Sequence, residues 1–160
     1  MGSPPHESNL CGGCRAAGRC RLGLRIWEIS NDGVVARGVC PATWTGGPSI
    51  AHGGWTAAAF DDVVGRTVRA TGTRSVTAHL AVDFVLPVPV ENELLIRARV
   101  TGAEGRRRFV EAVLELADTG EVLARADATM VVVDDRHYDR HRARMDERAA
   151  SERGEAPDAR

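Results

Sequence analysis

The sequence predicts an α+β fold in which one antiparallel sheet wraps around a single buried helix. Three observations carry this: one long apolar helical segment at Trp55 to Val68, two strand-like segments ahead of it, and about four more behind it with only turns between. A sheet that must cover one apolar helix curves around it, because each element has to bury its hydrophobic face against another. With 160 residues and 17.2 kDa, the chain is sized for one domain. At that mass folding buries about 69% of the unfolded surface, enough for a real core.

The elements follow in chain order. Residues 1–20 form a polar, cysteine-containing segment, partly disordered, with no apolar stretch of the kind a secretory leader needs between Met1 and Asn9. From Leu22 the run L-G-L-R-I-W-E-I alternates and reads as a strand through Ile29. Asn31-Asp32-Gly33 is a hairpin signal, and Val34 to Val39 returns as a second strand. A Gly- and Pro-rich connection leads to His52-Gly53-Gly54. The helix then carries Trp55, Ala58, Ala59, Phe60, Val63, Val64 and Val68, apolar almost all round, which predicts burial. Strands follow at Thr73 to Leu86, Leu94 to Val100, Phe109 to Leu116 and Val122 to Val133, with turns at Gly102 to Gly105 and Asp118 to Glu121. The folded unit is thus 21–133. Residues 134–160 make a charged tail that starts as a solvated helix and ends disordered.

Composition narrows the function. A net charge of −1 and a pI near 6.5 argue against nucleic acid as the main partner. No stretch approaches the roughly 18 apolar residues of a membrane span, and the reading is a soluble, cytoplasmic protein. All 21 basic residues are Arg, a feature with no functional consequence drawn from it. Cys11, Cys14 and Cys20 give C-x2-C-x5-C, and with Cys40 or His6 they offer four tetrahedral zinc ligands. The second half is not a clean C-x2-C, however, and free thiols are the expectation. Nearby Arg15, Arg19 and Arg21 favour thiolates.

Three features bear on chemistry. Asp61 and Asp62 sit consecutively in the apolar helix, about 100° apart around it, so they cannot share one environment. At least one must face a pocket or a partner, or else pair with an Arg such as Arg66 or Arg69. His52-Gly53-Gly54 opens the helix, where free N–H groups and the positive dipole end favour a developing oxyanion. Thr77, in the following strand, offers a hydroxyl able to hold a water. No phosphate-binding loop, G-x-S-x-G elbow, G-x-G-x-x-G or H-E-x-x-H motif occurs.

The run A-H-G-G-x5-F-D-D-x2-G (Ala51 to Gly65) followed by V-T-A-H-L-A-V-D-F-V-L-P-V-P resembles the hotdog-fold acyl-CoA thioesterases of the PaaI-like family. The resemblance covers roughly residues 20–133. It implies a thioester hydrolase without cofactor. Asp61 is its acid, as nucleophile or general base, and the Gly53 backbone N–H polarises the thioester carbonyl. His52 helps orient the thioester and Thr77 holds the water. Gly54, Trp55 and Arg74 contact substrate, with Trp44, Phe60 and the strand after the helix walling the pocket. Many such relatives carry Asn six residues before the His; here the position is Gly46. The substrate is an acyl-CoA or an acyl carrier protein thioester, with Arg69, Arg74 or Arg106 to Arg108 near the CoA phosphates. The resemblance further implies a homodimer or homotetramer, the acid of one protomer facing the His-Gly turn of another. Two other classes compete: a non-catalytic acyl-CoA binder, and a hotdog hydratase or dehydratase moving a proton α to the thioester carbonyl.

Overall fold

The computed structural model describes residues 11–153. A short helix α1 (Gly12–Arg15) precedes the hairpin β1 (Leu24–Ser30) and β2 (Gly33–Val39). A 3₁₀ turn at Ala42–Trp44 leads to the small hairpin β3 (Thr45–Gly47) and β4 (Ile50–Ala51), then the long helix α2 (Gly53–Ala70). The meander β5 (Ser75–Phe84), β6 (Glu93–Glu104), β7 (Arg107–Leu116) and β8 (Val122–Val132) follows, and α3 (His137–Glu152) ends the described chain. The main sheet is antiparallel throughout, with six strands in the order β1-β2-β6-β7-β8-β5. This is the wrapped-helix, or hotdog, architecture that the sequence predicts.

The sheet cradles α2 because its inner face is built from small residues. Ala36, Ala98, Ala112, Ala124, Ala126 and Ala128 alternate with Val34, Leu94, Ile96, Val110, Leu114 and Met130, all buried. The alanines let the helix backbone approach, and Trp55, Phe60, Val63, Val64 and Val68 fill what remains. The outer face is polar, with Arg99 opposite Glu111 and paired to it at 3.1 Å, and Arg97 reaching Glu115 at 3.2 Å. Gly33 is required in the first hairpin: a Cβ there would lie 2.1 Å from the Ala98 carbonyl oxygen, at a φ of 145° that side chains avoid.

Several boundaries move outward from the sequence reading. The helix begins at Gly53, two residues early, because His52 caps it. The β6–β7 hairpin runs on to Glu104 and Arg107, so the turn is tighter than Gly102 to Gly105. The connection before His52 holds the unpredicted β3–β4 hairpin, with Ser49 in the left-handed region at φ 60°. The larger correction concerns α2. It is not enclosed all round: its sheet side is buried, while Gly53, Gly54, Asp61, Arg69 and Ala70 are exposed and Ala57 and Ala58 are half-buried. One six-stranded sheet covers one side of a helix and no more.

The described part of the tail is helical, as expected for its start, and α3 buries no residue. The expected disorder at the two termini concerns residues 1–10 and 154–160, which lie outside the described residues. Among the described residues no helix is long and apolar enough to cross a membrane.

Candidate active site

The two consecutive acids of α2 part company as helical geometry demands. Asp62 turns toward Arg66 one turn on, which donates from Nε at 2.8 Å and from Nη2 at 3.2 Å. Both side chains are less than a fifth exposed, so this is a shielded, bidentate pair. Asp61 forms no ion pair among the described residues. Its Oδ1 accepts a hydrogen bond of 2.6 Å from the Thr77 hydroxyl on β5, and the carboxylate stays exposed. Thr77 therefore meets the acid itself, a contact that the sequence reading did not include. The contact forms where β5 changes register against β8, between Thr77 and His79. Bulges of this kind re-aim side chains next to functional sites.

Asp61 and Thr77 stand on the wall of a cleft of about 780 Å³. It runs along α2 past Asp62, Gly65, Arg66 and Arg69 to the start of β5 at Thr73 to Val76. Ile29, Met130 and Tyr138 supply apolar surface, and Cys11, Arg15 and Arg74 close the rim. Sequence reasoning missed Ile29, Met130, Tyr138, Cys11 and Arg15 as wall residues. They come from β1, β8, α3 and the segment around α1, which only the topology brings together.

At the other end of the helix, His52 is the N-cap, extended at φ −60° and ψ 135°. Its Nδ1 accepts from the Gly54 N–H at 2.9 Å, so in the neutral ring Nε2 carries the proton. The Gly54 amide is thereby occupied. The Gly53 amide has no acceptor among the described residues and is exposed, leaving a free donor at the positive end of an eighteen-residue helix. Gly46 lies against this turn: a Cβ there would come 2.7 Å from His52 Cα. Any larger residue, Asn included, would displace the cap, which is the physical reason for glycine at that place.

Other sequence expectations move. Trp55 is fully buried, its Nε1 donating to the Leu22 carbonyl at 3.1 Å, and it lines the core rather than the cleft. Phe60 is likewise a core residue, and Trp44 packs partly buried against that core. Arg74 does line the cleft, ion-paired to Asp135 at 3.0 Å. Arg106 to Arg108 sit at the β6–β7 hairpin tip and are not among the cleft-lining residues.

Among the described residues no three His, Cys, Asp or Glu side chains stand close enough to hold a metal ion, and all four cysteines are free thiols. Cys40 is sealed in the core, where burial pushes its thiol up to about 11. His6 lies outside the described residues.

Residues 49–123 match the family model described as Thioesterase superfamily. The match covers just under half of the chain, and with the fold it makes the chain similar to the hotdog-fold thioesterases. Among curated proteins it is similar to acyl-coenzyme A thioesterase THEM4 of Rattus norvegicus, 27% identical over 89 residues, or 56% of this chain. The chain spans only 38% of that relative's length. Among solved structures it superposes on the E. coli PaaI protein from the phenylacetic acid degradation operon, with a TM-score of 0.68 and 17% identity over 76% of this chain and 85% of the other. It also superposes on a hypothetical thioesterase protein from Streptococcus pneumoniae TIGR4 solved with coenzyme A, with a TM-score of 0.65 and 18% identity over 69% and 85% of the two chains. Asp→Ala and Thr→Ala variants of that protein were also solved.

Proposed function

We propose that this chain hydrolyses an acyl-CoA, or the equivalent acyl carrier protein thioester, to the free acid and thiol. The observation that carries the reading is the carboxylate of Asp61. It is held by Thr77 at 2.6 Å on the wall of an open cleft, and no cation among the described residues pairs with it, unlike its neighbour Asp62. Thioester hydrolysis needs such an anion, as nucleophile on the carbonyl carbon or as base toward water, and a donor for the oxyanion that forms.

The free Gly53 N–H at the α2 N-terminus suits that second role. Within one chain, however, the two groups cannot meet one substrate: eight residues of helical rise separate them by about 12 Å. The reading therefore requires two protomers, Asp61 of one working with the Gly53 amide of the other. The surface supports such pairing. β5 is an open edge strand of ten residues, and Phe84, Val85 and Leu86 at its end are exposed apolar side chains. An unpaired apolar edge is a ready template for a second copy. The Streptococcus pneumoniae relative lends further support: its Asp→Ala and Thr→Ala variants substitute positions sixteen residues apart, the separation of Asp61 and Thr77 here. The cleft-lining arginines Arg15 and Arg69, which pair with no carboxylate among the described residues, suit the phosphates of a CoA-like carrier.

The test is release of free CoA from a panel of aryl, short-chain and long-chain acyl-CoAs. Wild type turns over at least one class, and Asp61→Ala loses about 100-fold or more in kcat. A wild type and variant equally active, or equally inert, across the panel would contradict the assignment. Tight binding without turnover would favour a non-catalytic acyl-CoA binder, and hydration of a crotonyl thioester would favour a hydratase.

A further inference from the structure

We propose that Cys11 and Cys14 form a reversible dithiol–disulfide couple on the wall of the Asp61 cleft, its oxidation reshaping the cleft's rim. Geometry places the pair. The Cys14 N–H donates to the Cys11 carbonyl at 3.0 Å, so the two residues stand one tight turn apart at the start of α1. Residues three apart in such a turn hold their Cα atoms at about 5–5.5 Å, inside the range a disulfide spans without moving the backbone.

The environments of the two sulfurs differ as an exchange couple requires. Cys11 is exposed and lines the cleft, so it meets a reagent from solvent. Cys14 is buried, 2% exposed, and its Sγ accepts the Arg21 backbone N–H at 3.3 Å. That bond, helped by the Cys11 thiol and the Arg21 guanidinium, holds its thiol below the ordinary range despite burial. The other two cysteines are poorly suited to compete. Cys40 is enclosed in the core, and burial raises both its thiol and that of half-buried Cys20. Stabilising the Cys14 thiolate stabilises the reduced form, so the bridge opens readily, as regulatory rather than structural disulfides do.

The oxidant is a low-molecular-weight disulfide. The Cys11 thiolate attacks one sulfur of the reagent, forming a mixed disulfide and expelling one thiolate. The Cys14 thiolate then attacks the Cys11 sulfur, closing the protein disulfide and expelling the second. Two electrons pass from the cysteines to the reagent, and their two protons end on its two thiols. Bridging turns the Cys11 side chain from the cleft toward buried Cys14, beside Arg15, the other cleft residue that this segment supplies.

The experiment equilibrates the full chain in mixtures of reduced and oxidised glutathione, traps remaining thiols by alkylation and reads them by peptide mass. The expected result is loss of two alkylatable thiols on oxidation, a Cys11–Cys14 cross-link, and complete reversal by reductant. Cys14→Ser should instead trap a stable glutathione adduct on Cys11, and Cys20→Ser should oxidise as wild type does. Full alkylation of Cys11 and Cys14 in excess oxidised glutathione, or a bridge drawn to Cys20, would overturn the proposal. Its effect on turnover rests on the thioesterase reading. Oxidised wild type should show a several-fold higher KM with kcat retained, a shift absent from Cys11→Ser, and a bridge that leaves KM unmoved would overturn the gating role. Because the mass readout needs no substrate, a protein inert toward acyl-CoA would fail the functional reading while the couple is still tested.

Discussion

On the sheet side of α2, Trp55, Phe60, Val63, Val64 and Val68 are fully enclosed, and even Thr67 turns its hydroxyl back to the Val63 carbonyl at 2.8 Å. On the other side the same helix exposes Asp61 and its first turn, tied down by two hydrogen bonds, Thr77 to Asp61 and Gly54 to His52. The first side is packed against the sheet. The second leaves one carboxylate and one backbone amide unneutralised. The contrast shows how a single helix serves as both core and site: burial on one side supplies the rigidity with which the other holds charged groups in place.

Each prediction presses on that contrast. The largest effect falls on the core side, where Phe60→Ala should cost about 3–5 kcal/mol of stability, read by denaturant unfolding. If Phe60→Ala left stability unchanged and lowered only turnover, the division of the helix would be wrong. On the cleft side, Thr77→Val keeps the strand's shape and removes only the hydroxyl. Its expected result is roughly a 10-fold fall in kcat, matching the ~1.4 kcal/mol of one hydrogen bond to a charged group, with an unchanged melting temperature. The smallest change is expected for Asp62→Ala, which removes a partly shielded ion pair worth about 1 kcal/mol. It should lower the melting temperature slightly and leave kcat alone. Equal losses of kcat in Asp61→Ala and Asp62→Ala would erase the difference between the two acids.

The sequence made the elements legible where period and punctuation were strong. The long apolar segment after His52, the Asn31-Asp32-Gly33 hairpin and the β-branched runs of the meander all appear within a few residues of their expected places. The β3–β4 hairpin escaped notice because strands of three and two residues show no alternation, and Gly46-Gly47-Pro48-Ser49 reads as loop. The one-sided burial of α2 escaped for another reason. Ala57 and Ala58 look apolar in sequence yet lie half-exposed, and hydrophobicity alone does not say how far one sheet reaches. Asp61 and Thr77 could be singled out from sequence, but their 2.6 Å contact depends on the register change in β5. Trp55 misled because a large aromatic ring beside a Gly-Gly turn suits a pocket wall as well as a core. The Leu22 carbonyl that receives its N–H, thirty-three residues earlier, decides for the core.

The central claim, that Asp61 of one protomer works with the Gly53 amide of another, has a direct test in mixed dimers. Gly53→Pro deletes the N–H with little disturbance to the helix: proline suits the first position, His52 before it is already extended, and an added Cβ makes ordinary contact with Phe84 at 3.4 Å. Asp61→Ala and Gly53→Pro should each be inactive alone. Unfolded together and refolded, they should recover about one quarter of wild-type turnover, because in a two-fold dimer half of the chains pair unlike and each such pair holds one intact site. Mixtures that stay as inactive as the separate variants, while size measurements show that mixed dimers have formed, would contradict the account.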